Sequence, residues 1–271
     1  MRKLFLLLSV VISVALICVL AQAEGAANGS LLKLASASDP LPADYVPIAL
    51  SPISSAVEGV NLVTTRTSLL QEEALEPLYR MMRAAASAGE TLYIRQAYRS
   101  YADEARRYEL LSGTGQAAQK PGESSYQTGL SVTLVGADWK TGELTADFAD
   151  SSEARWLREH AAEYGFVLRY PEGKENVTGW SYEPWHYRYV GLAAAAAMAE
   201  QGLCLEELAM NSGLIADLPE DEEEEPWAEE EIPSQPVSEP DHSVPAVRDL
   251  STIDPEDIGP DGDYEISLGD L

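Results

Sequence analysis

The stretch SSYQTGLSVT, residues 124–133, follows a Pro-Gly turn at Pro121 and Gly122, crosses Gly129 and then alternates with the period of a β-strand. On that period Leu130, Val132 and Leu134 share one face, and Gly129, Ser131 and Thr133 share the other. The first face has the composition of a core. The second is small and polar, the composition of a site's floor, yet it holds no strong acid, base or metal ligand.

Working outward, TLYIRQA at 91–97 predicts another strand, followed by YRSY at 98–101 and a helix over roughly 102–111. Upstream, residues 68–88 bring Leu75, Leu78, Met81, Met82 and Ala85 to one side of a helix. Pro77 either kinks this helix or opens a second one, and Gly89 stops it. Downstream, Ser151 or Ser152 caps a helix containing Trp156, Leu157 and Tyr164, ended by Gly165. FVLRY at 166–170 reads as a short strand, PEGKENVTGW at 171–180 as a loop, and YEPWHYRYV at 182–190 as an extended aromatic run. An alanine-rich helix over 192–201 stops at Gly202, and LEELAMN adds a last turn or two. The pattern is α+β, a small antiparallel sheet flanked by helices.

The ends differ from this middle. Residues 1–23 combine two early positive charges, an apolar run from Leu4 to Leu20 and an Ala-Gln-Ala segment, the pattern of a secretory signal. The run is nearly long enough to span a bilayer, so an uncut segment would be a membrane anchor. Either way the domain is expected outside the cytoplasm, secreted or tethered, with no other membrane contact. Residues 24–40 read as a linker and 41–213 as the folded domain. The chain carries a net charge of −27, and 20 of its 45 acidic residues fall from Asp217 onward, against one basic residue, Arg248. Residues 214–271, with EDEEEEPWAEEE at 220–231, therefore read as an acidic disordered tail, which repels phosphates and argues against nucleic acid as a partner. With Cys18 inside the apolar run, Cys204 between apolar neighbours reads as a buried, inert thiol.

The longer motifs carry a resemblance. YRSY (98–101), PGESSYQTGLSV (121–132), WLREHAAEYGFVLRYPEGKENVTG (156–179) and EPWHYRYVG (183–191) resemble the VanY-type D-alanyl-D-alanine carboxypeptidases, zinc peptidases on the fold shared with lysostaphin and sonic hedgehog. The resemblance runs from LPADYVP at 41–47 to LEELA at 205–209. It implies a site in which S-x-H-x-x-G-x-x-x-D supplies a His and an Asp to zinc, and E-P-W-H supplies the third ligand. Ser124 and Gly129 match that motif, but Tyr126 stands at the His position and Thr133 at the Asp position. His186 matches the remaining ligand, Glu183 the base that works on the bound water, and Arg99 the arginine facing substrate. Ser124, Gln127 and Trp185 are the expected substrate contacts, and Glu104 departs from the family's usual Gln.

A catalytic zinc site needs three protein donors and an open position, and it brings the bound water to a pKa of about 7. With two donors replaced, no cofactor is expected. The reading is a catalytically impaired relative that binds peptidoglycan stem peptides. Two alternatives stay open: an active zinc D,D-carboxypeptidase with substituted ligands, and a protein-interaction domain using the acidic tail. Asp138, five residues past Thr133, could curl back to join Tyr126 and His186; the other histidines, His160 and His242, fall on a helix and in the tail. In sequence, Arg99 shows no partner among its neighbours, while Arg188 is expected to pair with an acidic residue.

Overall fold

The computed structural model describes residues 31–64, 67–114 and 117–211. The expected signal or anchor segment and the acidic tail lie outside the described residues. In chain order the elements are β1 (Leu50–Pro52), β2 (Leu69–Gln71), α1 (Glu72–Ser87), β3 (Tyr93–Gln96), α2 (Tyr101–Leu111), β4 (Ser131–Val135), α3 (Ser152–His160), β5 (Phe166–Leu168), α4 (Glu175–Thr178), β6 (His186–Tyr189), α5 (Leu192–Gln201) and α6 (Leu205–Asn211). Short 3₁₀ turns at Ser125–Thr128 and Ala161–Tyr164 precede β4 and β5.

β1 and β2 form a separate antiparallel pair, and the main sheet runs β3-β4-β6-β5 with every neighbour antiparallel. The expected α+β class is what the chain adopts. The apolar face of β4, Leu130, Val132 and Leu134, packs with Ile94, Phe166, Tyr187 and Tyr189 against Ala74, Leu78, Met81, Met82 and Ala85 of α1. Gly129 turns the chain into β4 at φ +67°, and a Cβ there would meet Leu50 Cδ2 at 2.7 Å. Only glycine meets both demands at low cost.

Several boundaries differ from the sequence reading. The helix expected from residue 68 starts at Glu72, because Leu69–Gln71 are taken up by pairing with Leu50–Pro52. Pro77 lies inside α1, which runs unbroken through it at the cost of one N–H donor. The loop over 171–180 contains the one-turn helix α4, closed by Gly179 at φ +67° with its N–H on the Glu175 carbonyl. The extended run over 182–190 is a strand only from His186, since the His186 N–H turns back to the Glu183 carbonyl at 3.1 Å.

Residues 31–35, read above as linker, are packed onto the domain: Leu31, Leu32, Leu34 and Ala35 are buried. Arg188 holds this segment by donating from Nη2 to the carbonyls of Leu31 and Lys33, each at 3.0 Å. It therefore pairs with backbone and with Thr128 Oγ1, not with the acidic neighbour expected for it. On β5's side, Arg169 forms a two-pronged buried ion pair with Glu206 at 3.0 and 2.6 Å, which ties the sheet to α6. Cys204 is buried as expected, and burial pushes its thiol up to about 12.

Candidate functional site

The polar face of the sheet is assembled from three neighbouring strands. Thr133 of β4 lies opposite His186 of β6 on one side and Gln96 of β3 on the other. Strict alternation would put Gln96 on the same face as Ile94, which is core. A bulge between Ile94 and Gln96 shifts the register and brings Gln96 opposite Thr133 instead. The row Gln96–Thr133–His186 therefore crosses the sheet on one face.

Above that row sits Tyr126, delivered by the 3₁₀ turn at Ser125–Thr128. Its ring stacks on the His186 imidazole with centroids 4.3 Å apart. Its hydroxyl shares a hydrogen bond with Thr133 Oγ1 at 2.5 Å. Burial, reinforced by the Glu183 carboxylate, pushes the Tyr126 phenol far above its ordinary range, so it stays protonated. Arg99 covers the other side, its Cζ 4.2 Å from the Tyr126 ring centroid.

The tight turn before β6 sets Glu183 against His186, with Oε2 2.8 Å from Nδ1. Burial holds the His186 imidazole below its usual pKa, against the pull of Glu183. A neutral ring facing a carboxylate through Nδ1 carries its proton there, which leaves Nε2 as a lone pair. Nε2 is buried and has no hydrogen-bond partner among the described residues. The second Glu183 oxygen accepts from Trp180 Nε1 at 2.7 Å. Tyr170 closes the far side, edge-on to His186 at 5.0 Å.

Tyr126 and Glu183 open onto a cleft of about 360 Å³. Its lining includes Gln96, Arg99, Glu104 and Arg107 together with Trp180, Tyr182 and Trp185. Arg99 donates from Nε to Glu104 at 2.8 Å and from Nη1 to Gln96 at 2.6 Å. The partner missing from its sequence surroundings is thus Glu104, one turn into α2, together with Gln96. Ser124 and Gln127, expected to contact substrate, are buried and line no part of this cleft. Gln127 instead accepts the Gly122 N–H at 2.6 Å and pins the preceding turn. Asp138 is exposed in the turn after β4 and does not join the cluster. His160 ends α3 beside Glu163, remote from these residues.

Sequence reading missed Gln96 and Trp180. Nothing in TLYIRQA signals the bulge, and Trp180 belongs to a loop whose fold brings it to Glu183. The three positions where the resemblance expects metal ligands, Tyr126, Thr133 and His186, do converge. As a donor set they fit zinc poorly. His186 Nε2 is a suitable lone pair, but the other two groups are neutral hydroxyls already bonded to each other, and neither carries charge. No group of three His, Cys, Asp or Glu side chains able to hold a metal occurs among the described residues.

Comparison with known proteins adds the following. A family model described as VanY, D-alanyl-D-alanine carboxypeptidase, matches residues 67–192. The bifunctional D-Ala-D-Ala dipeptidase and carboxypeptidase VanXYC of Enterococcus gallinarum is 34% identical over 145 residues, covering 51% of this chain and 76% of the relative. The structure of the LdcB LD-carboxypeptidase, described as revealing the basis of peptidoglycan recognition, matches with a TM-score of 0.60 at 32% identity, covering 67% of this chain and 86% of that one. A vancomycin-resistance D,D-pentapeptidase VanY variant in complex with Zn(II) matches with a TM-score of 0.52 at 28% identity, covering 65% and 97%. Of two other curated relatives the chain spans only part: 66% of one from Bacillus subtilis and 50% of one from Enterococcus faecium.

Proposed function

The chain belongs to the VanY family of D-alanyl-D-alanine carboxypeptidases, and on that premise we propose that its domain binds peptidoglycan stem peptides with its hydrolytic power lost or severely reduced. The observation supporting this reading is the Tyr126–Thr133 hydrogen bond at 2.5 Å, at the two motif positions where the family carries His and Asp ligands. A phenol held protonated and a threonine hydroxyl supply neither the nitrogen nor the charge of those ligands. Without a Lewis acid, Glu183 would face water with a pKa of about 15.7. Both of its oxygens are already engaged, one by Trp180 and one by His186.

What the remaining residues do well is hold a chain. Trp180, Tyr182 and Trp185 line the cleft along with Arg99 and Gln96, a mix of aromatic and polar groups suited to holding a peptide. The reading carries an extracytoplasmic location, where such peptides are found. The test is to purify the full chain, measure its zinc content and follow D-Ala release from a peptide ending in D-Ala-D-Ala. Zinc far below one per chain, no release and measurable peptide binding are expected. Near-stoichiometric zinc, with turnover abolished by chelator or by Glu183→Gln, would overturn the proposal.

One observation favours a second reading, an active zinc carboxypeptidase with substituted ligands. His186 Nε2 is a buried lone pair next to Glu183, as a metal-binding imidazole oriented by a carboxylate would be. The same zinc and release measurements separate the two.

A further inference from the structure

The cleft holds a cation that is already neutralised. Arg99 forms an ion pair with Glu104 at 2.8 Å, and the Glu104 side chain is only 2% exposed while that of Arg99 is 13% exposed. Gln96 takes a second guanidinium N–H, and the guanidinium carbon lies over the Tyr126 ring, 4.2 Å from its centroid. Arg99 is thus committed on two edges and one face, by partners that are themselves fixed. Gln96 is held by the β3 bulge, Glu104 by α2, and Tyr126 by Thr133.

Such an arginine cannot receive a ligand carboxylate cheaply. The incoming group would displace a buried charge-assisted hydrogen bond or sit beside the Glu104 carboxylate in a partly desolvated cleft. Glu143 and Glu183 line the same space and add to the repulsion, so that with Glu104 three carboxylates stand against the two cations Arg99 and Arg107. A peptide carbonyl or carboxamide brings an acceptor without the charge.

We infer that this cleft takes a peptide segment with no free carboxylate at its Arg99 end, such as a carboxamide-terminated or interior stretch, and that Glu104 is the residue setting this preference. The inference rests on the peptide-binding reading above. Glu104 acts through Arg99 and is a positioning residue.

The test compares N,N′-diacetyl-L-Lys-D-Ala-D-Ala as free acid and as C-terminal carboxamide, titrated into the full chain and its Glu104→Gln variant by calorimetry with chelator present. In the native chain the carboxamide should bind about tenfold tighter than the acid. In the variant the gap should close to within about threefold, because one charge-assisted contact becomes available to the acid. An acid bound as tightly as the carboxamide by the native chain overturns the inference, as does an unchanged ratio in the variant. Should neither peptide bind either protein, the peptide-binding reading fails by itself. Modification of Arg99 by phenylglyoxal, read by peptide mass spectrometry, then decides the role of Glu104. Reaction at least threefold faster in Glu104→Gln supports the masking of Arg99, and equal rates overturn it.

Discussion

His186 and Arg188 stand two residues apart on β6, both with no exposed surface, and the protein treats them in opposite ways. Arg188 is enclosed by acceptors: the carbonyls of Leu31, Lys33 and Tyr189 and the Thr128 hydroxyl. Just past β5, Arg169 donates its backbone N–H to the His186 carbonyl at 2.8 Å and is paired to Glu206 through both terminal nitrogens, while its Nε has no hydrogen-bond partner among the described residues. At the start of the strand, His186 Nε2 is buried with no hydrogen-bond partner among the described residues. A buried polar group left unmatched costs roughly 1–3 kcal/mol, so chains rarely keep one without use for it. Arg188 is architecture, tying residues 31–35 to the sheet. His186 instead belongs to a cluster with Tyr126 and Glu183, and those two residues line the cleft.

The largest effect is expected at Arg169. Glu206→Ala leaves Arg169 buried and uncompensated, and denaturant unfolding should register a loss of about 3–5 kcal/mol. A loss below about 1 kcal/mol would mean that the pair is not holding the fold. Converting the His186 end into a satisfied one is the opposite manipulation. The double variant Tyr126→His, Thr133→Asp should take up about one zinc per chain, measured by elemental analysis. Zinc at 100 times its Kd should then stabilise the variant by about 2.7 kcal/mol. Absence of uptake would mean that residues 126, 133 and 186 do not share the family's ligand geometry.

A smaller effect comes from the turn that joins the two regions. Gly129→Ala places a Cβ 2.7 Å from Leu50 Cδ2 at a positive φ. It should lower stability by about 1–2 kcal/mol, the cost of a left-handed backbone for an L residue, seen as a drop in Tm. The smallest change is expected at the cleft itself. Tyr126→Phe with Thr133→Val removes both partners of the 2.5 Å hydrogen bond while keeping their shapes. Removing both partners together is close to neutral, so unfolding should shift by less than about 1 kcal/mol. A large loss would make this hydrogen bond a structural element and erase the contrast with Arg188.

The alternation of Leu130, Val132 and Leu134 named the core face of β4, and the small polar face named the site, because strand period alone decides which residues share a side. Helix positions followed from apolar spacing for the same reason. Helix α1 began late because Leu69–Gln71 found a partner in residues 50–52, a pairing between segments that neither announces. Arg99 looked unaccompanied because its carboxylate lies five residues on, where only the helical rise of α2 and the bulge in β3 bring Glu104 and Gln96 to it. Arg188 looked like half of an ion pair, but three backbone carbonyls surround it, and backbone acceptors leave no trace in residue identity.

Residue type and spacing along the chain were enough for the family, the α+β class and the two positions, 126 and 133, that depart from the family's ligands while 186 keeps its His. Only the tertiary structure decided what those residues do to one another. Tyr126 and Thr133 satisfy each other, His186 is left with a lone pair, and Arg99 is neutralised by Glu104. Hydrogen bonds and ion pairs act over about 3 Å, and which groups come that close is settled by packing across the sheet.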